Sequence, residues 1–189
     1  MQTIKRHTGH QMMGDADFAM LIGLAFGQKN IGKLAVEIGT LHGITTVNLA
    51  RVLPNHKIIT VSMPKDATPV LNSTPSDADF FGIIPAFEDD VKDRIEHMPC
   101  DSADLELPNA PIGFAFIDGG HSVEYVVNDF HKVLPLMAQG GLIVFHDYGI
   151  DNSCGITAVK TAVDSLADKY PNYDWMTMNG IPLAWVRVL

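Results

Sequence analysis

Nearly continuous apolar runs alternate along this chain with segments whose apolar residues recur every three or four positions, and that alternation leaves few folds open. Residues 33–38 (KLAVEI), 57–61 (KIITV), 112–117 (IGFAFI) and 142–145 (LIVF) lack the every-other-residue polarity of a strand with one wet face. Runs of this kind are strands covered on both sides. Between them, residues 43–53 place Ile44, Val47, Ala50 and Leu53 at helical spacing, and Pro54 ends the segment. Residues 122–137 put Val123, Val126, Val127, Phe130, Leu134 and Met137 on one face, with Ser122 as N-cap and Gly140-Gly141 as the stop. Residues 155–170 repeat the pattern through Ile156, Val159, Val163, Leu166 and Tyr170. The runs 173–178 and 183–189 flank Asn179-Gly180, a strong hairpin signal. The expected fold is α/β: a single Rossmann-like, doubly wound, mostly parallel sheet with a C-terminal antiparallel hairpin.

A chain of 189 residues is the length of one domain, expected to be 1–189. Residues 1–30 read as an N-terminal helical segment, with the apolar run 18–26 capped by Asp15. Asp15 and Asp17 stand where a signal peptide needs neutral residues, and the run is too short to span a bilayer. Residues 93–98 form a weak strand. Residues 64–85 hold four prolines and read as a long loop, so 63–85 is the expected substrate lid. Lys and Arg total 13 against 22 Asp and Glu, a net charge of −9. With no run of basic residues longer than the pair Lys5-Arg6, such a chain repels nucleic acid and anionic membrane. Cys100 and Cys154 lie far apart with no metal spacing, which suits a reducing, cytoplasmic compartment. Oligomeric state is open, a homodimer included.

In open α/β sheets ligands bind beyond the carboxyl ends of the strands. Here those ends carry Glu37–Gly43, Ser62-Met63, Cys100–Ser102, Asp118–His121 and His146-Asp147. In Glu37-Ile38-Gly39-Thr40-Leu41-His42-Gly43 two glycines four apart allow a tight turn and close approach to a ligand. The pattern differs from the GxGxxG of nicotinamide-dependent oxidoreductases, and a carboxylate at Glu37 would repel a pyrophosphate but suit a cationic amino group.

The stretch 36–46 (VEIGTLHGITT) resembles motif I of class I S-adenosylmethionine-dependent methyltransferases. The stretch 116–148 (FIDGGHSVEYVVNDFHKVLPLMAQGGLIVFHDY) resembles a small O-methyltransferase-type family with an IDGxHS turn, a PGG-like turn and FHD. Cys100-Asp101-Ser102 stands where that family has Gly-Asp-Ser. The resemblance covers roughly residues 30–150. It implies S-adenosylmethionine as cofactor and a small-molecule hydroxyl as methyl acceptor. It also implies that Glu37 and Gly39 face the amino-acid part of the cofactor, that Thr40 and Gly43 line the same loop, and that Asp101 accepts from the adenine amino group beside Ser102. Asp118 would bind the cofactor and border the methyl-transfer site. The chain departs from the pattern twice. Ser62 stands where the family places an acid that binds both ribose hydroxyls, and Gly120 stands where many relatives carry Asp. These departures make a catalytically silent, ligand-binding or interaction protein of the same fold the alternative.

Asp118, His121, His146 and Asp147 should cluster at adjacent strand ends. The resemblance to metal-dependent O-methyltransferases makes Asp118 and Asp147, joined by His146, the ligands of a divalent ion, Mg²⁺ or Mn²⁺, that orients the acceptor oxygen and lowers its pKa. Without a metal, Asp118 would be joined in catalysis by His121 or His146 as the group that takes the acceptor proton. The plainest reading is that Asp118 and Ser122 cap a helix and the histidines bind loop carbonyls.

Overall fold

The computed structural model describes residues 13–73, 81–149 and 157–189. Five strands run parallel: β1 (Leu34–Ile38), β2 (Lys57–Ser62), β3 (Ile95–Pro99), β4 (Ile112–Ile117) and β5 (Met137–Phe145). β6 (Asp174–Met178) and β7 (Ile181–Arg187) form the hairpin around Asn179-Gly180, and β7 lies antiparallel to β5. The sheet order is β3-β2-β1-β4-β5-β7-β6. The order reverses between β1 and β4, so the ligand-binding crevice of such a sheet opens above those two strands.

Side-chain alternation divides the core in two. Leu34, Val36, Ile38, Ala115, Ile117, Ile143 and Phe145 pack against α3 (Val123–Val133) and α4 (Thr157–Lys169). Ala35, Ile58, Phe114, Phe116, Leu142 and Val144 pack on the other face against α1 (Asp15–Gly27) and α2 (Ile44–Val52). Both faces are covered, which is why these strands read as continuous apolar runs. Among the described residues no helix is long and apolar enough to cross a membrane.

Three expectations need correction. The cap of α1 is Gly14, not Asp15: the Gly14 carbonyl accepts from Phe18 N–H, and its own N–H donates to Asp17 Oδ2 at 3.2 Å. The helix expected through 137 ends at Val133, because Pro135 cannot continue it, and a single 3-10 turn, Leu134–Leu136, follows. β5 begins at Met137, so Gly140 and Gly141 lie within the strand rather than stopping a helix. The described part of the fourth helix starts at Thr157, and its expected beginning at Gly155 lies outside the described residues, as does Cys154. Among the described residues of 64–85 there is no helix or strand.

Candidate active site

The turn after β1 is built on backbone geometry. Gly39 has φ of +108°, and a Cβ there would lie 2.0 Å from the Asp118 carbonyl oxygen. Gly39 therefore lets the ends of β1 and β4 touch, and Asp118 N–H donates to the Ile38 carbonyl at 2.8 Å. Gly43, at φ +82°, caps α2, and the Phe87 ring fills the space a side chain would need. The carboxyl that opens the turn, Glu37, is fully buried beneath it. Its Oε2 accepts from the hydroxyls of Thr46 and of Thr60, the latter at 2.6 Å, while Oε1 has no partner. Burial pushes its pKa up to about 8. Thr40 joins the same network, its hydroxyl 2.7 Å from that of Thr60.

The ends of β2 and β3 flank this turn. Ser62 Oγ lies 2.8 Å from Nε2 of His97, and burial lowers the His97 pKa. Asp101 Oδ1 accepts from Ala103 N–H at 2.8 Å. Its Oδ2 accepts from Val70 N–H at 2.9 Å and from the Tyr125 hydroxyl at 2.7 Å. A ligand amino group at Asp101 must share or displace one of these donors. Ser102 is buried and bonds Asp129, a fully buried acid on α3.

On the other flank the four expected residues do converge. His146 Nδ1 lies 3.0 Å from Asp118 Oδ1 and 3.2 Å from Asp147 Oδ1. Asp147 Oδ2 lies 3.0 Å from His121 Nε2. Burial opposes a charge on His146, but the two carboxylates outweigh it and push its pKa up to about 10. Burial likewise works to raise the Asp147 pKa, yet the bonds from His121 and His146 hold that carboxyl well below the usual range. Asp147 adopts φ of +59°, a left-handed conformation uncommon for a non-glycine residue. Asp118, His121 and Asp147 present ligand atoms all within 4.8 Å of one another. A set of two carboxylates and one imidazole fits a divalent ion. This trio differs from the expected set of Asp118, Asp147 and His146 in containing His121, while His146 Nδ1 lies between the two acids. Ser122 does cap α3, its Oγ accepting from Tyr125 N–H at 3.1 Å.

Three residues that matter here had no clear signal. His97 reads as an ordinary packing histidine until strand pairing sets it beside Ser62. Tyr125 and Asp129 sit on α3 one turn apart, and only the sheet order brings Asp101 and Ser102 to that helix. Tyr125 also accounts for Gly120, since a Cβ at Gly120 would meet the Tyr125 ring at 2.8 Å.

The model of a methyltransferase-domain family matches residues 36–148, more than half of the chain. The chain belongs to that family. It is similar in fold to cofactor-bound Rv0187 from MTB, at 18% identity, with 98% of this chain and 84% of that one covered and a TM-score of 0.67. The O-methyltransferase from Bacillus cereus in complex with SAH matches at 17% identity, covering 95% and 83%, with a TM-score of 0.63. The O-methyltransferase NovP matches at 15% identity, covering 92% and 78%, with a TM-score of 0.63. No sequence among curated proteins matches the chain.

Proposed function

We propose that this methyltransferase uses S-adenosylmethionine to methylate the hydroxyl oxygen of a small molecule. The observation that carries the reading is the acid–imidazole cluster of Asp118, His121, His146 and Asp147, at the strand ends beside the turn where β1 and β4 meet. The SAH-bound and O-methyltransferase neighbours, at low identity, support the cofactor and the reaction class. The IDGGHS and FHD stretches supply that cluster.

The chain's residues fit the cofactor. Glu37 keeps one buried carboxyl oxygen without a partner beneath the Gly39–Gly43 turn, and a cationic ammonium would answer it. Gly39 and Gly43 give the turn the left-handed backbone it needs to pass between Asp118 and Phe87, and Thr40 ties it to the Glu37 network, so that the turn is held rigid beneath the amino-acid part of the cofactor. Ser62 serves the ribose, and Asp101 with Ser102 the adenine. S-adenosylmethionine supplies an electrophilic methyl group on a sulfonium.

The remaining task is one proton. Asp147 orients His121, which takes the proton from the acceptor hydroxyl. His146 is not the base: two carboxylates hold it as a cation, and its positive charge lets Asp118 and Asp147 share one small space. A second reading is favoured by the 4.8 Å convergence of Asp118, His121 and Asp147: these three hold a divalent ion that lowers the hydroxyl pKa. The lid role is assigned to the loop 63–85, whose Val70 N–H donates to Asp101 Oδ2.

The test is methyl transfer to hydroxyl acceptors by the purified chain, with and without chelator. The His121 reading predicts activity that survives chelator and falls by roughly 10²–10⁴-fold in His121→Gln. Activity abolished by chelator and restored by Mg²⁺ or Mn²⁺ selects the metal instead. No methyl transfer, with intact SAH binding, would favour the catalytically silent alternative.

A further inference from the structure

The ends of β2 and β3 carry a hydrogen-bonded pair that proton transfer at Asp118–Asp147 leaves unused. Ser62 Oγ and His97 Nε2 lie 2.8 Å apart, and both residues are half-buried. Parallel pairing sets His97 opposite Thr60 and Pro99 opposite Ser62, so the imidazole leans along the sheet to meet the serine. A second contact fixes the ring. Phe87 stands T-shaped to it, with ring centroids 6.2 Å apart. The same Phe87 ring fills the space beside Gly43 at the start of α2.

This pair adjoins the turn after β1. The N–H groups of Gly39 and Thr40 both donate to the carbonyl of Val61, the residue before Ser62, at 2.9 and 3.1 Å. A serine hydroxyl carries one proton and two lone pairs, so on its own it can either donate to a ligand or accept from it. Burial lowers the His97 pKa, so the ring is uncharged at neutral pH and keeps one nitrogen that accepts. With Nε2 in that role, the Ser62 proton is committed to the imidazole. Both lone pairs of Ser62 Oγ are then left to accept, the part a carboxylate would play with charge.

Resting on the assignment of Ser62 to the ribose, we propose that His97 is a positioning residue for the cofactor: its Nε2 accepts from the Ser62 hydroxyl and so keeps the Ser62 lone pairs for the ribose hydroxyls. Because the acceptor is neutral, the preference for a hydroxyl-bearing ribose is small, about three- to tenfold in affinity, the worth of an uncharged hydrogen bond.

The experiment is calorimetric titration with two probes, SAH and its analogue lacking both ribose hydroxyls. It compares the unaltered protein, His97→Phe, Ser62→Ala and the double variant. The unaltered protein should bind SAH about three- to tenfold more tightly than the analogue. Each single variant should lose that preference while its affinity for the analogue stays at the unaltered value, which also shows that the variant is folded. The double variant should lose no more than either single one, because His97 acts only through Ser62. His97→Gln, whose amide oxygen can accept the same bond, should recover part of the preference, and His97→Leu replaces His97→Phe if the latter does not fold. Unchanged SAH binding in His97→Phe, an equal loss for both probes, additive losses in the double variant, or no recovery in His97→Gln overturns the proposal and leaves the methyl-transfer reading standing. Absence of SAH binding by the unaltered protein removes that reading and the proposal with it.

Discussion

Ser62 is the residue at which this chain departs most from the methyltransferase pattern, and its surroundings show how the departure is accommodated. Its hydroxyl is paired with the His97 imidazole, so the end of β2 offers a neutral dyad where an acid is usual. Ser62→Asp would add a charged, two-oxygen acceptor at the same place. It should tighten SAH binding by about 1 kcal/mol in a calorimetric titration. Weaker binding would show that the ribose does not reach Ser62. Gly39 is a different case. The turn could be read from the sequence, but not that the Asp118 carbonyl occupies the space of the missing side chain. A branched residue at Gly39 therefore strains the contact between β1 and β4 before it touches a ligand.

At the scale of elements, periodicity located what packing controls. The strands β1, β2, β4 and β5 and the helices α2 and α3 were legible because both sheet faces are buried and each helix has one apolar stripe. The end of α3 was not. Leu134 and Met137 continue the stripe, yet Pro135 removes a backbone donor and the chain turns into β5 three residues before the glycines. Backbone chemistry overrode side-chain pattern there. The start of α3 was legible, because Ser122 is a short oxygen-bearing side chain placed before the first apolar residue. Ser122→Ala should lower stability by about 1 kcal/mol in urea unfolding. It should also displace the adjoining His121. An unchanged unfolding midpoint would mean that the bond from Tyr125 N–H contributes nothing.

Across the whole molecule, the sequence pointed to the carboxyl edge but not to its electrostatics. Four residues separated by up to 29 positions were expected to cluster there, and they do. Which histidine each acid holds depends on side-chain directions that no spacing rule supplies. Two buried acids, Glu37 and Asp129, make a global prediction. Burial raises the Glu37 pKa from 4.5 to about 8 and the Asp129 pKa from 3.8 to about 7. Both folded values lie above the unfolded ones, so the folded state holds protons that the unfolded state releases. Stability from these groups is full below about pH 4 and is lost as pH rises through about 7 to 8. Urea midpoints should fall across that window, and Glu37→Gln should flatten the fall. An equal slope in the variant would show that Glu37 ionises normally.

The central claim is that the crevice above β1 and β4 receives S-adenosylmethionine. Calorimetric titration of the purified chain with SAH, with and without chelator, tests it most directly. The account predicts saturable one-to-one binding that persists in chelator, because the cofactor residues Glu37, Gly39, Thr40, Gly43, Ser62, Asp101 and Ser102 lie outside the Asp118–His121–Asp147 set. No binding in either condition would contradict it.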